Sequence, residues 1–300
     1  MIDAFTIPQV YASQTMHDNP KAAPAHEFRL QTHTVLAICG RDAIAFAQAQ
    51  FMNDVAAIAP GQWQWNGWLT AKGRVVALFA LLKLDAETLW LLLPDIAADT
   101  FAEQLRRYVF RSKLTLMPRA DLHVAGSFSP PAQACGNTYS SSEDGIHLDL
   151  SANAGPRTLR IVSVAAADDA SALARWNAAD LAHGLPRLPP TQTEQWTPQQ
   201  LSLERLAAFS VKKGCYPGQE IVARTHFLGQ AKRGLALFEA DAPVLAGSDI
   251  HADARVLGSV VCAQDTLVLA VLPLDHPATG LTTTNGTPLQ ARPLHDGLAR

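Results

Sequence analysis

The apolar positions of the chain alternate between two spacings, and the change from one to the other marks its elements. Residues 35–39 form a short apolar run ending at Gly40, after which Ile44, Ala47, Phe51 and Val55 recur at helical spacing as far as Pro60. That predicts a strand followed by a helix. Trp63, Trp65 and the apolar run 75–84 flank the turn-prone pair Lys72-Gly73, and residues 89–93 add a third strand. Pro94-Asp95 opens a predicted helix with Phe101, Leu105 and Tyr108 on one face. Arg106, Arg107 and Arg111 gather toward its C-terminal end, where positive charge is favoured. Further strands are predicted at 114–117, 122–128, 146–150 and 159–164, interrupted by a polar loop at 130–145. The alanine-rich stretch 168–181 reads as a helix. Thr197-Pro-Gln-Gln200 has the form of a capping box with proline at the first helical position, predicting a short helix to about Phe209. From Gly234 onward, short apolar runs are separated by Gly, Pro and Asp with hardly any helical pattern, which favours a separate β-barrel or sandwich. The fold class is therefore α+β, with a mixed body and a small all-β C-terminal domain. The first 25 residues read as a loosely tied arm.

Composition narrows the possible functions. The chain has 300 residues, 48% apolar and 17% charged, long enough for about two domains. A formal net charge of -3 argues against general electrostatic attachment to nucleic acid or anionic lipid. The four cysteines, Cys39, Cys135, Cys215 and Cys262, form no C-x-x-C pair, so neither a disulfide framework nor a metal site is expected. Neither a signal peptide nor a membrane span is visible, and a reducing cytoplasmic setting is expected.

One segment concentrates chemistry. Lys212-Lys213-Gly214-Cys215-Tyr216-Pro217-Gly218-Gln219-Glu220 places a thiol between two lysines and a carboxylate, in a loop whose glycines and proline permit unusual backbone angles. Adjacent ammonium groups stabilise a thiolate, and a helix starting near Gly218 adds its positive end. A reactive Cys215 assisted by Lys213 follows; the plain alternative is a small buried cysteine beside a solvated turn. Lys72 and Arg74 make a basic hairpin tip, and Arg106, Arg107, Arg111 and Lys113 a second basic cluster, suited to carboxylate or phosphate or simply to solvent. Trp63, Trp65, Trp68, Trp176 and Trp196 offer flat faces for a heteroaromatic ring, although tryptophans are more often core. The ten histidines show no metal-binding spacing and are read as structural or exposed.

The residues Lys213-Gly-Cys-Tyr-Pro-Gly-Gln-Glu-Ile-Val-Ala-Arg224, with Gly229 and Lys232-Arg233, resemble the signature of the YgfZ family of folate-binding proteins, relatives of the glycine-cleavage aminomethyltransferase. Gly40-Arg-Asp-Ala43 with Phe46, Gln48, Gln50 and Asp54-Val55 is similar to the family's first strand–helix unit, and Ala71-Lys-Gly-Arg74 to its hairpin. Tyr108-Val-Phe-Arg-Ser-Lys113, and Trp176 with Gly184-Leu-Pro186, match as well. The resemblance implies aminomethyltransferase-like folate-binding domains in a ring-like arrangement around a central cavity, closed by a C-terminal β-barrel. The expected units are residues 1–120, 121–233 (carrying the cysteine motif) and 234–300.

What the resemblance implies about function is specific. Tetrahydrofolate is the expected cofactor, with Trp176 against it, Gln219 or Glu220 on the hydrogen-bonding edge of the pterin, and Arg74, Arg111 or Lys113 on the carboxylates of the glutamate tail. Lys72 and Arg224 complete the expected binding set, Cys215 and Lys213 the thiol chemistry, and no metal ligand is assigned. The expected role is that of an accessory factor for assembly or maintenance of iron–sulfur enzymes, including ones that thiolate transfer RNA. Such client enzymes or assembly proteins would be its partners, with no stable nucleic acid and no membrane. Three departures from relatives stand out. Residues 75–78 (Val-Val-Ala-Leu) are apolar where aminomethyltransferases carry an acidic pair; Ala182 stands where relatives often have glutamate; and His33 aligns with an aromatic position. The first argues against glycine-cleavage chemistry. A tetrahydrofolate-dependent one-carbon transferase with altered acid or base is the alternative, and a scaffold recruiting partners through Lys72 and Arg74 is a third reading.

Overall fold

A computed structural model describes residues 26–300 apart from Gln230; the predicted N-terminal arm lies outside the described residues. The elements run β1 (Glu27–Arg29), β2 (Thr34–Cys39), α1 (Ala43–Gln50), β3 (Gln62–Leu69), β4 (Val75–Lys83), β5 (Thr88–Leu93), α2 (Ala98–Arg106), β6 (Thr115–Pro118), β7 (His123–Ser127), β8 (Ser140–Ser142), β9 (Gly145–Asp149), β10 (Thr158–Val162), α3 (Ala170–Ala182) and α4 (Gln219–Phe227). They continue through β11 (Arg233–Ala240), β12 (Asp249–Ala252), β13 (Arg255–Gln264), β14 (Leu267–Pro273), β15 (Leu281–Thr283) and β16 (Pro288–Arg292). These strands form two antiparallel five-stranded sheets, ordered β3-β4-β5-β2-β6 and β1-β7-β10-β9-β8, and a closed six-stranded barrel, β11-β14-β13-β12-β15-β16. The expected α+β class and C-terminal barrel are both present. Strand β1 joins the second sheet by pairing with β7, although its sequence position is with the first.

The near-continuous apolar runs of the first sheet are explained by burial on both faces. Successive side chains of a strand point to opposite sides. On β4, Ala77, Phe79 and Leu81 pack with Phe46, Phe51, Phe101 and Leu105, the footing of α1 and α2. Leu78, Ala80 and Leu82 face the other way, into a core shared with Trp65, Trp176 and Leu185. Phe101 and Leu105 are fully buried, each contributing about 1.5–3 kcal/mol. The barrel has its own core around Phe238, Val260 and Leu272. After β16 the chain turns back to the body: the His295 amide donates to the Ala182 carbonyl (2.8 Å), the Trp65 indole to the Leu298 carbonyl (2.8 Å), and Arg300 to the carbonyls of Asp149 and Ser151 (3.0 and 2.9 Å).

Four local expectations need correction. Helix α1 stops at Gln50, short of the predicted Pro60, because Phe51 turns to extended backbone. Helix α2 ends at Arg106, which leaves Tyr108 outside it and half exposed, its ring edge-on to Trp68. The capping box at Thr197 forms: the Gln200 side chain accepts from the Thr197 amide (3.0 Å), and the Thr197 hydroxyl accepts from the Gln200 amide (3.3 Å). No α-helix follows, since Ser202 and Ala207 take left-handed angles (φ 49° and 54°) and leave only a 3-10 turn, Leu203–Leu206. The predicted polar loop 130–145 contains the edge strand β8. Among the described residues, no helix is long and apolar enough to cross a membrane, and no group of three His, Cys, Asp or Glu side chains is placed to hold a metal ion.

Candidate functional site

A narrow slot with about 20 Å³ of open space lies where the two sheets meet the segment after α3. Its apolar walls are Leu78 and Ala80 of β4, Leu92 of β5, Trp65 of β3, and Leu150 and Leu159 of the second sheet. Trp176, from the middle of α3, closes one side; it is fully buried, edge-on to Phe28 (5.9 Å between centroids) and covered by the Arg157 guanidinium 4.7 Å from its ring. The lining, mostly apolar with a few convergent polar groups, has the composition of a small-molecule site, while the open volume is far below the roughly 300–1,000 Å³ such sites enclose, so a ligand of that size enters only if the walls move apart.

The polar groups come together on one wall. Asp180, one helical turn beyond Trp176, pairs with Arg157 at 2.6 Å, both side chains 3% exposed. Arg187, just past Gly184-Leu-Pro186, stands 4.0 Å from the other oxygen of Asp180. It is fixed by a bond to Asp95 (2.7 Å), by the Pro94 carbonyl (2.9 Å), and by the side chains of Thr32 (3.0 Å) and Asn177 (3.2 Å). His33 completes the wall. Burial holds its imidazole well below the usual histidine range, with the Arg187 charge acting in the same direction, and its buried Nδ1 has no hydrogen-bond partner. The slot is thus lined by apolar side chains, by a carboxylate and a guanidinium already engaged with protein partners, and by one imidazole nitrogen without a partner. Cys262 lies behind Arg187, whose amide donates to the sulfur at 3.4 Å; burial pushes this thiol up to about 12, so it is an inert core group.

The cysteine motif is built differently. Gly218 has φ 79°, and a Cβ there would lie 2.6 Å from both the Gly73 Cα and the Thr70 carbonyl oxygen. The motif loop and the Lys72-Gly73 hairpin tip therefore touch backbone to backbone, possible only with glycine on both sides. The predicted helix start at Gly218 is observed, with Gly218 as the N-cap of α4. Lys213 reverses expectation. Its side chain is buried, and its ammonium donates to the carbonyls of Gln48, Phe51 and Asn53 at the end of α1, with the Tyr216 ring 4.9 Å away. Burial draws this amine down to about 8. It caps a helix C-terminus and anchors the loop instead of activating the thiol. Cys215 is exposed, as is Lys212.

The expected binding residues are dispersed. Trp176 lines the slot. Arg74 instead donates to the Gln195 carbonyl (2.6 Å) and the Gln200 side chain (3.2 Å), tying the hairpin to the capping-box segment. Gln219 donates to the Lys213 carbonyl (3.1 Å) within its own loop. Glu220 and Arg224 are exposed on α4, and Lys72 on the hairpin tip. Arg111 stacks on Phe110, and the Lys113 amide donates to Asp42, both near the start of α1 on the helical side of the first sheet. None of these seven lines the slot. Leu78 and Gly73 are separated by five residues, roughly 15 Å of strand, so the motif loop is at the far end of the hairpin from the slot. Asp180 and Arg187 are the groups that sequence reading passed over, whereas His33 entered it only as a departure from an aromatic position of relatives. Arg187 could have been noticed, directly following the quoted Gly-Leu-Pro.

The chain is 28% identical to a Klebsiella pneumoniae protein named tRNA-modifying protein YgfZ, over 66% of each chain. It is 26% identical to the Aliivibrio fischeri protein of the same name, over 82% of this chain and 84% of that one. It is also 27% identical to an uncharacterised Haemophilus influenzae protein, over 70% and 72%. No family model matches. Among solved structures, the glycine cleavage system aminomethyltransferase T from Bartonella henselae superposes with a TM-score of 0.71 and 14% identity, covering 91% of this chain and 86% of that one. That likeness fixes the fold as aminomethyltransferase-like, and the resemblance to YgfZ proteins holds over most of the chain.

Proposed function

We propose that this relative of the YgfZ proteins binds tetrahydrofolate in the slot and serves as an accessory factor for iron–sulfur enzymes, among them enzymes that thiolate transfer RNA. The observation that supports the reading is the lining of the slot: Trp176 and Trp65 stand with apolar neighbours beside Asp180, Arg187 and His33, the composition of a pterin receptor whose walls must part to admit the ring. A pterin supplies donors and acceptors along one edge of a plane, and a wall with a carboxylate, a guanidinium and a neutral imidazole complements them. The motif thiol is exposed on a separate loop, accessible to a protein partner without disturbing the slot. Leu78, at the end of the apolar stretch 75–78 that resembles the region where aminomethyltransferases carry an acidic pair, is an apolar wall residue here. This favours binding and accessory work over one-carbon transfer.

Two measurements test the proposal. Titration of the purified protein with tetrahydrofolate, followed by calorimetry, should show saturable 1:1 binding, and Ala80→Trp, which fills the slot, should abolish it. Absence of saturable binding by the wild type overturns the cofactor assignment. In cells lacking the native protein, Cys215→Ser should fail to restore iron–sulfur enzyme activity while folding and binding folate normally. Full restoration removes the thiol from the mechanism.

A further inference from the structure

Residues 293–300 belong to no strand or helix, yet they tie the two walls of the slot together. On the wall formed by the first sheet, the Trp65 indole donates to the Leu298 carbonyl (2.8 Å). On the wall formed by the second, Leu150 lies between Asp149 and Ser151, whose carbonyls accept from the Arg300 guanidinium (3.0 and 2.9 Å). The Asn153 amide donates to the Asp296 carbonyl (3.3 Å), and the His295 amide to the Ala182 carbonyl at the end of α3 (2.8 Å). Leu298 is the one buried side chain of this strap. A segment held by a few bonds at the surface, with little buried apolar area, is of the kind that opens locally while the core stays folded.

The ground beneath the strap disfavours the closed arrangement. Nε and Nη2 of Arg157, Nε2 of His183 and Nη1 of Arg205 are buried there without a hydrogen-bond partner. His183, at the C-cap of α3, stands with its ring 5.5 Å from that of His295. Arg205 holds the strap at the His295 carbonyl (3.0 Å) and at Asp296 (2.7 Å), and the Arg157 charge acts on both His183 and Arg300. Unbonded polar atoms are costly when buried, and lifting the strap brings these to water.

We propose that residues 293–300 are a latch on the slot: when they lift, β3 and the segment 149–153 are free to part, and the slot opens wide enough to admit a ring. With the latch down, the slot holds only about 20 Å³ of open space. The inference rests on the slot being the binding site and adds the step by which a ligand enters. Its test needs no folate, so either reading can fail without the other.

Ala80→Cys puts a thiol in the slot lining, and its labelling by N-ethylmaleimide, read by mass spectrometry after digestion, reports opening. Hydrogen exchange on the same protein follows residues 293–300 and, for comparison, β5, which is paired on both sides within the first sheet. Arg300→Ala removes the bonds to Asp149 and Ser151, and Leu298→Ala removes the buried anchor. Each should speed strap exchange and labelling of the introduced thiol together, by about tenfold or more, with β5 unchanged. Without either strap variant, the opening constants from labelling and from strap exchange should agree within about threefold. A mismatch of more than about tenfold overturns the inference whether or not the variants fold. Faster strap exchange with unchanged labelling also overturns it, because the slot then opens elsewhere. So does strap exchange that is unchanged in both variants, and so does equal acceleration of β5, which marks unfolding of the whole sheet.

Discussion

Gly218→Ala puts the smallest possible side chain where the motif loop meets the hairpin. Its methyl carbon would sit 2.6 Å from the Gly73 Cα and the Thr70 carbonyl oxygen, and 2.8 Å from the Gly73 amide nitrogen. All three are backbone atoms of a tight turn, so no rotamer change relieves the clash, and the two segments must separate by about 1 Å to reach ordinary contact. The left-handed angle at residue 218 costs a further ~1 kcal/mol for alanine. Together these predict a loss of about 2–4 kcal/mol, a fall in midpoint of roughly 3–6 °C for a chain of this size. Differential scanning calorimetry and urea unfolding measure it. The control is Gly214→Ala, earlier in the same loop, where a Cβ meets nothing within 4 Å and stability should change by no more than about 0.5 kcal/mol. Equal stability of the two variants would refute the claim that the motif is held by glycine-to-glycine contact.

Three further outcomes follow from buried charge. Lys213→Met strips the partner from three carbonyls at the end of α1 and should cost about 2–4 kcal/mol by urea unfolding; an unchanged midpoint would show that those carbonyls have other partners. Asp180→Asn leaves the Arg157 guanidinium buried without its counter-charge, for a loss of about 3–5 kcal/mol and weakened pterin binding; a variant as stable as wild type contradicts the pairing. His33 titrates well below 6.5 in the folded protein, so the unfolded chain takes up the proton first. The stability it contributes is intact above pH 6.5 and is lost as pH falls below that value, at up to ~1.4 kcal/mol per unit. His33→Gln should flatten this part of the stability profile relative to wild type, and a steeper profile in the variant would reverse the assignment.

Local pattern was enough to find the strands of the first sheet, α3, the start of α4 and the barrel, because each depends on apolar spacing or on a glycine near its end. It was also enough for the reciprocal bonds between Thr197 and Gln200, which need only one short stretch of chain. It could not give the fate of Lys213. Its neighbours in sequence suggest a thiol partner, whereas its ammonium reaches carbonyls 160 or more positions away, a pairing that only the folded chain defines. Arg187 and Asp95 are likewise separated by 92 positions, and His33, noticed in the sequence only for standing at an aromatic position of relatives, shows its buried, unpartnered nitrogen only in the folded chain. Strand β8, three serines long, has no apolar pattern to betray it and exists through pairing with β9.

The alternation along β4 divides labour within one ribbon. Side chains at 78 and 80 line the slot, and those at 77, 79 and 81 seat the helices on the reverse side. The slot can therefore be reshaped for a different guest by substitutions at alternate positions without unseating the helices. A slip of pairing by one residue would do the opposite, pushing the Phe79 ring into the slot and leaving the helices on Leu78, Ala80 and Leu82.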